Sequence, residues 1–178
     1  MKTDYEIRQE TEKDYPQVFK LVEEAFRDME ESDHREQFLV ERLRHSPAFV
    51  PELSLVADED GGVVGYGLMT RVSIRSGILD AESLALAPVA VRPDRQSMGI
   101  GSALIRELQA RAARLGYKSA VVLGHEGFYP RFGYRKASDY GIAFPFEVPS
   151  ECCMAVELVA GGLRDIRGVV CYPEAFME

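Results

Sequence analysis

Residues 84–115 read LALAPVAVRPDRQSMGIGSALIRELQARAARL: an apolar strand through Val91, the loop Gln96-Ser97-Met98-Gly99-Ile100-Gly101, and a helix opening straight out of that loop. Ile100, Leu104, Leu108, Ala112 and Leu115 recur at three- and four-residue spacing, Arg106, Gln109 and Arg114 fall off that stripe, and Gly116 stands where a C′ glycine stops a helix. Ser119 to Leu123 follows as a second strand. Strand, turn, helix and strand in this order make a βαβ unit with parallel strands and a right-handed crossover. The first N–H groups of a helix lack intrahelical partners and lie at the positive end of its dipole, so an anion is favoured there. Gly99 and Gly101 let a diphosphate approach the amides of Gln96, Ser97, Met98, Gly99, Ile100, Gly101 and Ser102. Pro88 lies inside the first strand and donates no hydrogen bond, which predicts a bulge where pairing with the next strand fails and an extended ligand finds room.

Two familiar phosphate loops do not fit. A Walker A loop needs Gly-Lys-Ser/Thr, and Gly99-Ile100-Gly101-Ser102 has no lysine. The dinucleotide fingerprint puts Leu104 where its third glycine belongs, with no acidic residue ending a strand about 20 residues on. A helix start that binds nothing is the remaining alternative.

Gln96-x-x-Gly99-x-Gly101 after Val89-Ala90-Val91 resembles the acetyl-CoA loop of the GNAT superfamily of N-acetyltransferases. Leu123 to Tyr134, LGHEGFYPRFGY, is similar to the segment in which those enzymes place Phe-Tyr-x-x-x-Gly-Phe/Tyr after their fifth strand. Tyr129-Pro-Arg-Phe-Gly and the late GVVCYPEAF of residues 168–176 resemble a bacterial subgroup of acetyltransferases in particular. The resemblance implies an α/β fold: one GNAT-like domain over residues 1–178, with a mixed central sheet, helices on both faces and a splayed, bulged strand pair.

It also implies acetyl-CoA as co-substrate and an amine acceptor, either a small molecule or a protein amino group, attacking the thioester directly. Tyr129 matches the motif tyrosine and is the candidate acid for the departing thiolate, since a phenol of pKa about 10 stays protonated at neutral pH. Packing alone is the other reading of that ring. The backbone of Val89, Ala90 and Val91 is implied to pair with the pantetheine arm, with a main-chain N–H, that of Val91, donating to the oxyanion. Phe128 and Phe132 flank the cofactor or simply bury one face of a short helix. Glu82 is a candidate base or the solvated end of a strand. His125 is a candidate proton relay or a structural support of the Tyr129 turn. A cysteine acyl-enzyme through Cys152 or Cys153 lacks a basic neighbour in the sequence. The acidic stretch Asp28 to Asp33 occupies a region that walls the acceptor site in this superfamily, or is solvated charge at a helix start. A non-catalytic acyl-CoA-binding domain of the same fold is the second functional class.

At 178 residues and 46% hydrophobic content the chain suits one core. A net charge of −8 with dispersed basic residues argues against nucleic acid. The apolar runs fall short of a membrane span and MKTDYEIRQE lacks a signal-peptide core, so a cytoplasmic protein without membrane contact is expected, with a homodimer left open. Three cysteines without CxxC spacing and three histidines indicate neither a disulfide framework nor a metal site.

The remaining elements follow from period and caps. Tyr5 to Arg8 reads as a strand. Thr11-x-x-Asp14 resembles a capping box ahead of the helical stripe Tyr15, Val18, Leu21, Val22, Ala25, Phe26. Asp33 to Arg44 reads as a helix with Phe38, Leu39 and Leu43 inward. Leu53 to Ala57 and Val63 to Ile74 form a hairpin through Gly61-Gly62, and Met154 to Val159 and Gly168 to Tyr172 are the last strands.

Overall fold

The computed structural model describes residues 4–177. In chain order the elements are β1 (Glu6–Gln9), α1 (Tyr15–Phe26), α2 (Glu36–Arg44), β2 (Phe49–Glu59), β3 (Gly62–Ser76), β4 (Leu79–Val91), α3 (Ile100–Arg114), β5 (Ser119–Leu123), β6 (Arg135–Lys136), β7 (Ile142–Ala143), β8 (Cys153–Glu157) and β9 (Gly168–Cys171). They fall into two compact units. The first takes in the chain up to Met69 and Ala87–Leu108, the second Thr70–Leu86 and the chain from Gln109 onward.

In the first unit β1 pairs antiparallel with β2, Glu6 opposite Asp58, and the order continues through β3 to β4. The capping box is present: Thr11 N–H donates to Asp14 Oδ2 at 2.8 Å, and Val18, Leu21 and Val22 form the buried stripe of α1. Helix α2 starts at Glu36, later than Asp33, and its phase differs from the expected one. Gln37, Val40 and Leu43 are buried, whereas Phe38 is 38% exposed, edge-on to Phe19 with Arg35 stacked on it. Helices flank both faces of this sheet. Tyr66 and Ser54 share a hydroxyl hydrogen bond of 2.7 Å, and Ser54 donates to Glu10, which is paired with Arg44 at the end of α2. Strand alternation turns Gly65 and Gly67 the other way, toward α3. A Cβ at Gly65 would stand 2.7 Å from Ile100 Cγ2, and one at Gly67 2.9 Å from Leu108 Cδ1. The absent side chains seat the helix against the strand.

In the second unit the order is β3-β4-β5-β8-β6, with β9 on β3 and β7 on β9. Parallel pairs (β4–β5, β7–β9) stand beside antiparallel ones (β5–β8, β6–β8, β3–β9), giving the mixed sheet the sequence implies. Strand β4 begins at Leu79, well ahead of the apolar run at Leu84, because Gly77, at φ +61, turns a second hairpin whose first residues, Leu79 to Glu82, are largely exposed. Val72, Ile74, Ala85, Val121, Ala155 and Val170 lie in a common buried cluster. Ser83 and Ser119 satisfy each other at 2.8 Å. Helix α3 ends as read: Gly116 is left-handed at φ +97 and Tyr117 N–H donates to the Ala112 carbonyl at 3.0 Å, while Leu115 lies past the helix and is 47% exposed. The three cysteines are free thiols.

Candidate active site

The loop ahead of α3 is built by backbone conformation. Ser97 and Gly99 are left-handed, at φ +64 and +86, while Met98 between them is not, an alternation that turns successive N–H groups toward one concave side. The α3 ladder begins with Ala103 N–H donating to the Gly99 carbonyl at 3.0 Å, so the amides of Ile100, Gly101 and Ser102 stand ahead of it. The two glycines do different work. Gly99 answers to its φ, since a Cβ there would meet nothing within 4 Å, whereas a Cβ at Gly101 would rest against Val91 Cγ2 at an ordinary 3.6 Å. Ile100 is buried on β3 and offers only its main chain, and Met98 is 61% exposed. Two arginines just ahead of the loop in the chain are ion-paired, Arg92 with Asp94 at 2.6 Å and Arg95 with Glu59. An anion at this loop is therefore met by amides and the helix end. These are the donors a diphosphate requires, and the cradle fits one.

Strand β4 prepares the ground beside the loop. Its ladder to β5 is the pair Ala85↔Val121, and the cis peptide Ala87–Pro88 follows. Arg92 N–H donates to the Val64 carbonyl at 2.9 Å, so alternation turns the Ala90 amide toward β3 and the amides of Val89 and Val91 the opposite way. Gln96 Nε2 closes on the Val91 carbonyl at 3.0 Å. Gln96 thus ties the loop to the strand through its side chain, a role its place in the motif does not disclose.

Beyond β5, Gly124 N–H donates to the Cys152 carbonyl at 2.9 Å and the chain turns into residues 129–132, a single short helical turn. The Tyr129 ring lies directly over Gly124: a Cβ there would come within 2.3 Å of Tyr129 Cε2. Phe128 and Tyr134 hold the ring edge-on at 5.1 and 5.8 Å, and burial raises the phenol pKa above its ordinary value. Phe132 is buried, accepts from Gln109 Nε2 through its carbonyl at 3.2 Å, and lines a cleft of about 430 Å³ with Arg135 and Tyr140. His125 is exposed, and its Nδ1 accepts from Gly127 N–H at 3.0 Å. That bond supports the turn before Tyr129. Glu82 is exposed beside Lys118, at the start of β5, whereas Tyr129 follows from the Leu123 end. The structure does not bring Glu82 together with Tyr129, because the parallel register sends the two to opposite ends of the same strand. Among the described residues no group of three or more His, Cys, Asp or Glu side chains could hold a metal ion.

Residues 51–136, which include both the loop and the Tyr129 turn, match the model of the acetyltransferase (GNAT) domain. The chain is 37% identical over 131 residues to the uncharacterised N-acetyltransferase YjhQ of Escherichia coli K12, covering 71% of this chain and 72% of that one. The chain belongs to the GNAT acetyltransferase family. Among solved GNAT structures it is similar to E. coli YhbS in complex with CoA, with a TM-score of 0.87 at 27% identity over 100% of this chain and 94% of the other. A GNAT acetyltransferase of Brucella melitensis in complex with acetyl-CoA superposes with a TM-score of 0.80 at 33% identity, covering 97% of each chain. Gly99, Gly101 and Tyr129 of this GNAT chain all fall inside the matched range.

Proposed function

We propose that the protein transfers the acetyl group of acetyl-CoA to a primary amine by direct attack. The observation that carries this reading is the amide cradle of residues 97–102 beside the turned-out backbone of Val89 and Val91. The complexes of the two solved relatives with CoA and acetyl-CoA support it. When bound, acetyl-CoA supplies an activated acyl group. The amides of Ser97 through Ser102 and the α3 terminus hold its diphosphate, and Val89 and Val91 align its arm by main-chain hydrogen bonds. Val91 N–H donates to the carbonyl oxygen as negative charge gathers there. As the C–N bond forms and the C–S bond breaks, the amine releases its proton to water and Tyr129 O–H gives its own to sulfur. His125, with Nδ1 engaged in its turn, positions Tyr129 by holding the chain ahead of it. The raised pKa keeps Tyr129 protonated to higher pH than a free phenol, so the alkaline fall in kcat is expected above pH 10. Tyr129→Phe is expected to lower kcat roughly 100-fold with acetyl-CoA affinity unchanged, measured by thiol release and by titration calorimetry. Unaltered turnover in that variant would remove Tyr129 from the mechanism. Cofactor binding without thiol release from any amine would favour an acyl-CoA-binding domain that does not turn over.

A further inference from the structure

Arg131 stands in the short turn between Tyr129 and Phe132, exposed, and takes no part in the chemistry above. Its side chain folds back on its own segment. Arg131 Nε donates to the Phe128 carbonyl at 3.0 Å, Nη2 donates to the Gly127 carbonyl at 3.4 Å, and the guanidinium carbon lies 4.7 Å from the centre of the Phe128 ring. One planar group therefore joins two successive carbonyls and covers an aromatic face, a combination that a lysine ammonium does not reproduce. The Gly127 N–H is held separately by His125 Nδ1 at 3.0 Å, so both polar groups of that peptide residue are engaged by side chains.

This grip reaches Tyr129 through Phe128. The Phe128 ring stands edge-on to Tyr129 at 5.1 Å and to Phe132 at 5.2 Å, and Tyr129 stands edge-on to Tyr134 at 5.8 Å. No hydrogen bond to a described residue anchors the Tyr129 hydroxyl, whose pKa is moved by burial alone. Packing therefore sets where the phenol lies, with Gly124 under the ring and the other rings around it. Phe132 and Tyr134 are buried, whereas Phe128 is half-buried and has the Arg131 guanidinium on its face. Phe128 is the member of the group whose place depends on a side chain at the surface.

We propose that Arg131 is a positioning residue for acetyl transfer: by clamping Gly127 and Phe128 it fixes the Phe128 ring and, through that ring, the aim of the Tyr129 phenol. The inference rests on the reading that Tyr129 gives its proton to the departing sulfur. Because proton delivery tolerates little displacement of the donor, loosening the clamp lowers turnover without weakening the hold on the coenzyme.

The full chain, given acetyl-CoA, is assayed for free thiol with butylamine, spermidine and a short peptide bearing a free amino terminus, and the fastest of these is used to compare Arg131→Met, Arg131→Lys, Tyr129→Phe and the double variant Tyr129→Phe/Arg131→Met. Arg131→Met keeps the stem and loses the donors. It is expected to lower kcat about tenfold with the KM for acetyl-CoA unchanged. Arg131→Lys is expected to fall with it, since charge without the planar fork does not restore the clamp. The double variant is expected to match Tyr129→Phe within about twofold, because a residue acting only through Tyr129 has nothing left to position. Additive losses, full activity in Arg131→Lys, an unmoved kcat in Arg131→Met, or a raised KM for acetyl-CoA with kcat retained would each overturn the inference while leaving acetyl transfer in place. Unaltered turnover in Tyr129→Phe, or thiol release with none of the three amines, overturns the reading beneath it and takes the inference with it.

Discussion

Gly124 and Tyr129 show how one missing methyl group sets the position of a ring. Gly124 is not in the left-handed region, so its backbone admits alanine, yet the added Cβ would overlap the Tyr129 ring at 2.3 and 3.0 Å. Gly124→Ala is expected to push the phenol aside and lower kcat about tenfold to a hundredfold, with KM for acetyl-CoA unchanged in steady-state kinetics. Tyr134 presents the converse case. Its hydroxyl is buried without a hydrogen-bond partner among the described residues, and burial holds its pKa well above the ordinary phenol value. Tyr134→Phe removes that unsatisfied group without changing the ring. A gain of about 1 kcal/mol is expected, read as a higher urea midpoint at constant slope.

At the scale of elements, the junction of β1 and α1 is held by Arg8, which donates to both Asp14 oxygens at 2.7 and 2.8 Å and to Asp58 at 3.1 Å. The Arg8 guanidinium, reinforced by Thr11 N–H, lowers the Asp14 pKa from 3.8 to about 2 against the opposing effect of burial. A folded pKa below the unfolded one contributes stability that is fully present above pH 3.8 and lost as pH falls toward 2. Asp14→Asn is expected to cost about 2 kcal/mol at neutral pH, and the gap between variant and parent should close through that acidic window in urea titrations. This junction was legible in advance: Thr11-x-x-Asp14 needs only local geometry, and so did α3 with its Gly116 stop. Helix α2 was misphased because Phe38 is apolar by composition but is served at the surface by Phe19 and Arg35, which no periodicity records. The start of β4 was missed because Leu79 to Glu82 carry polar residues on a long exposed hairpin. Which of the two readings of Glu82 fits its place could not be read locally: strand register decides which end of β5 a residue shares, and register is a long-range property.

For the molecule as a whole, the loop and tyrosine motifs sufficed to anticipate the family, since each depends on short runs whose order along the chain is itself informative. Gly65 and Gly67 carried no comparable signal, for their function lies in what approaches them from elsewhere in the sequence. If the cradle holds coenzyme A, ligand binding stabilises the folded chain. At about 100 times its Kd, CoA is expected to add about 2.7 kcal/mol and raise Tm by roughly 5–10 °C in a thermal scan. ATP at the same concentration is expected to leave Tm unmoved.

The bare track of Gly65 and Gly67 reaches further than the contacts it makes. Because Ile100, Leu104 and Leu108 ride on it, the height at which α3 sits, and with it the level of the amides at its mouth, is fixed by a neighbouring strand far upstream in the chain. If that loop holds the coenzyme, its affinity has a hidden dial: a single methyl at Gly67, pressed against Leu108 Cδ1 at 2.9 Å, would shift the loop amides through the body of the helix.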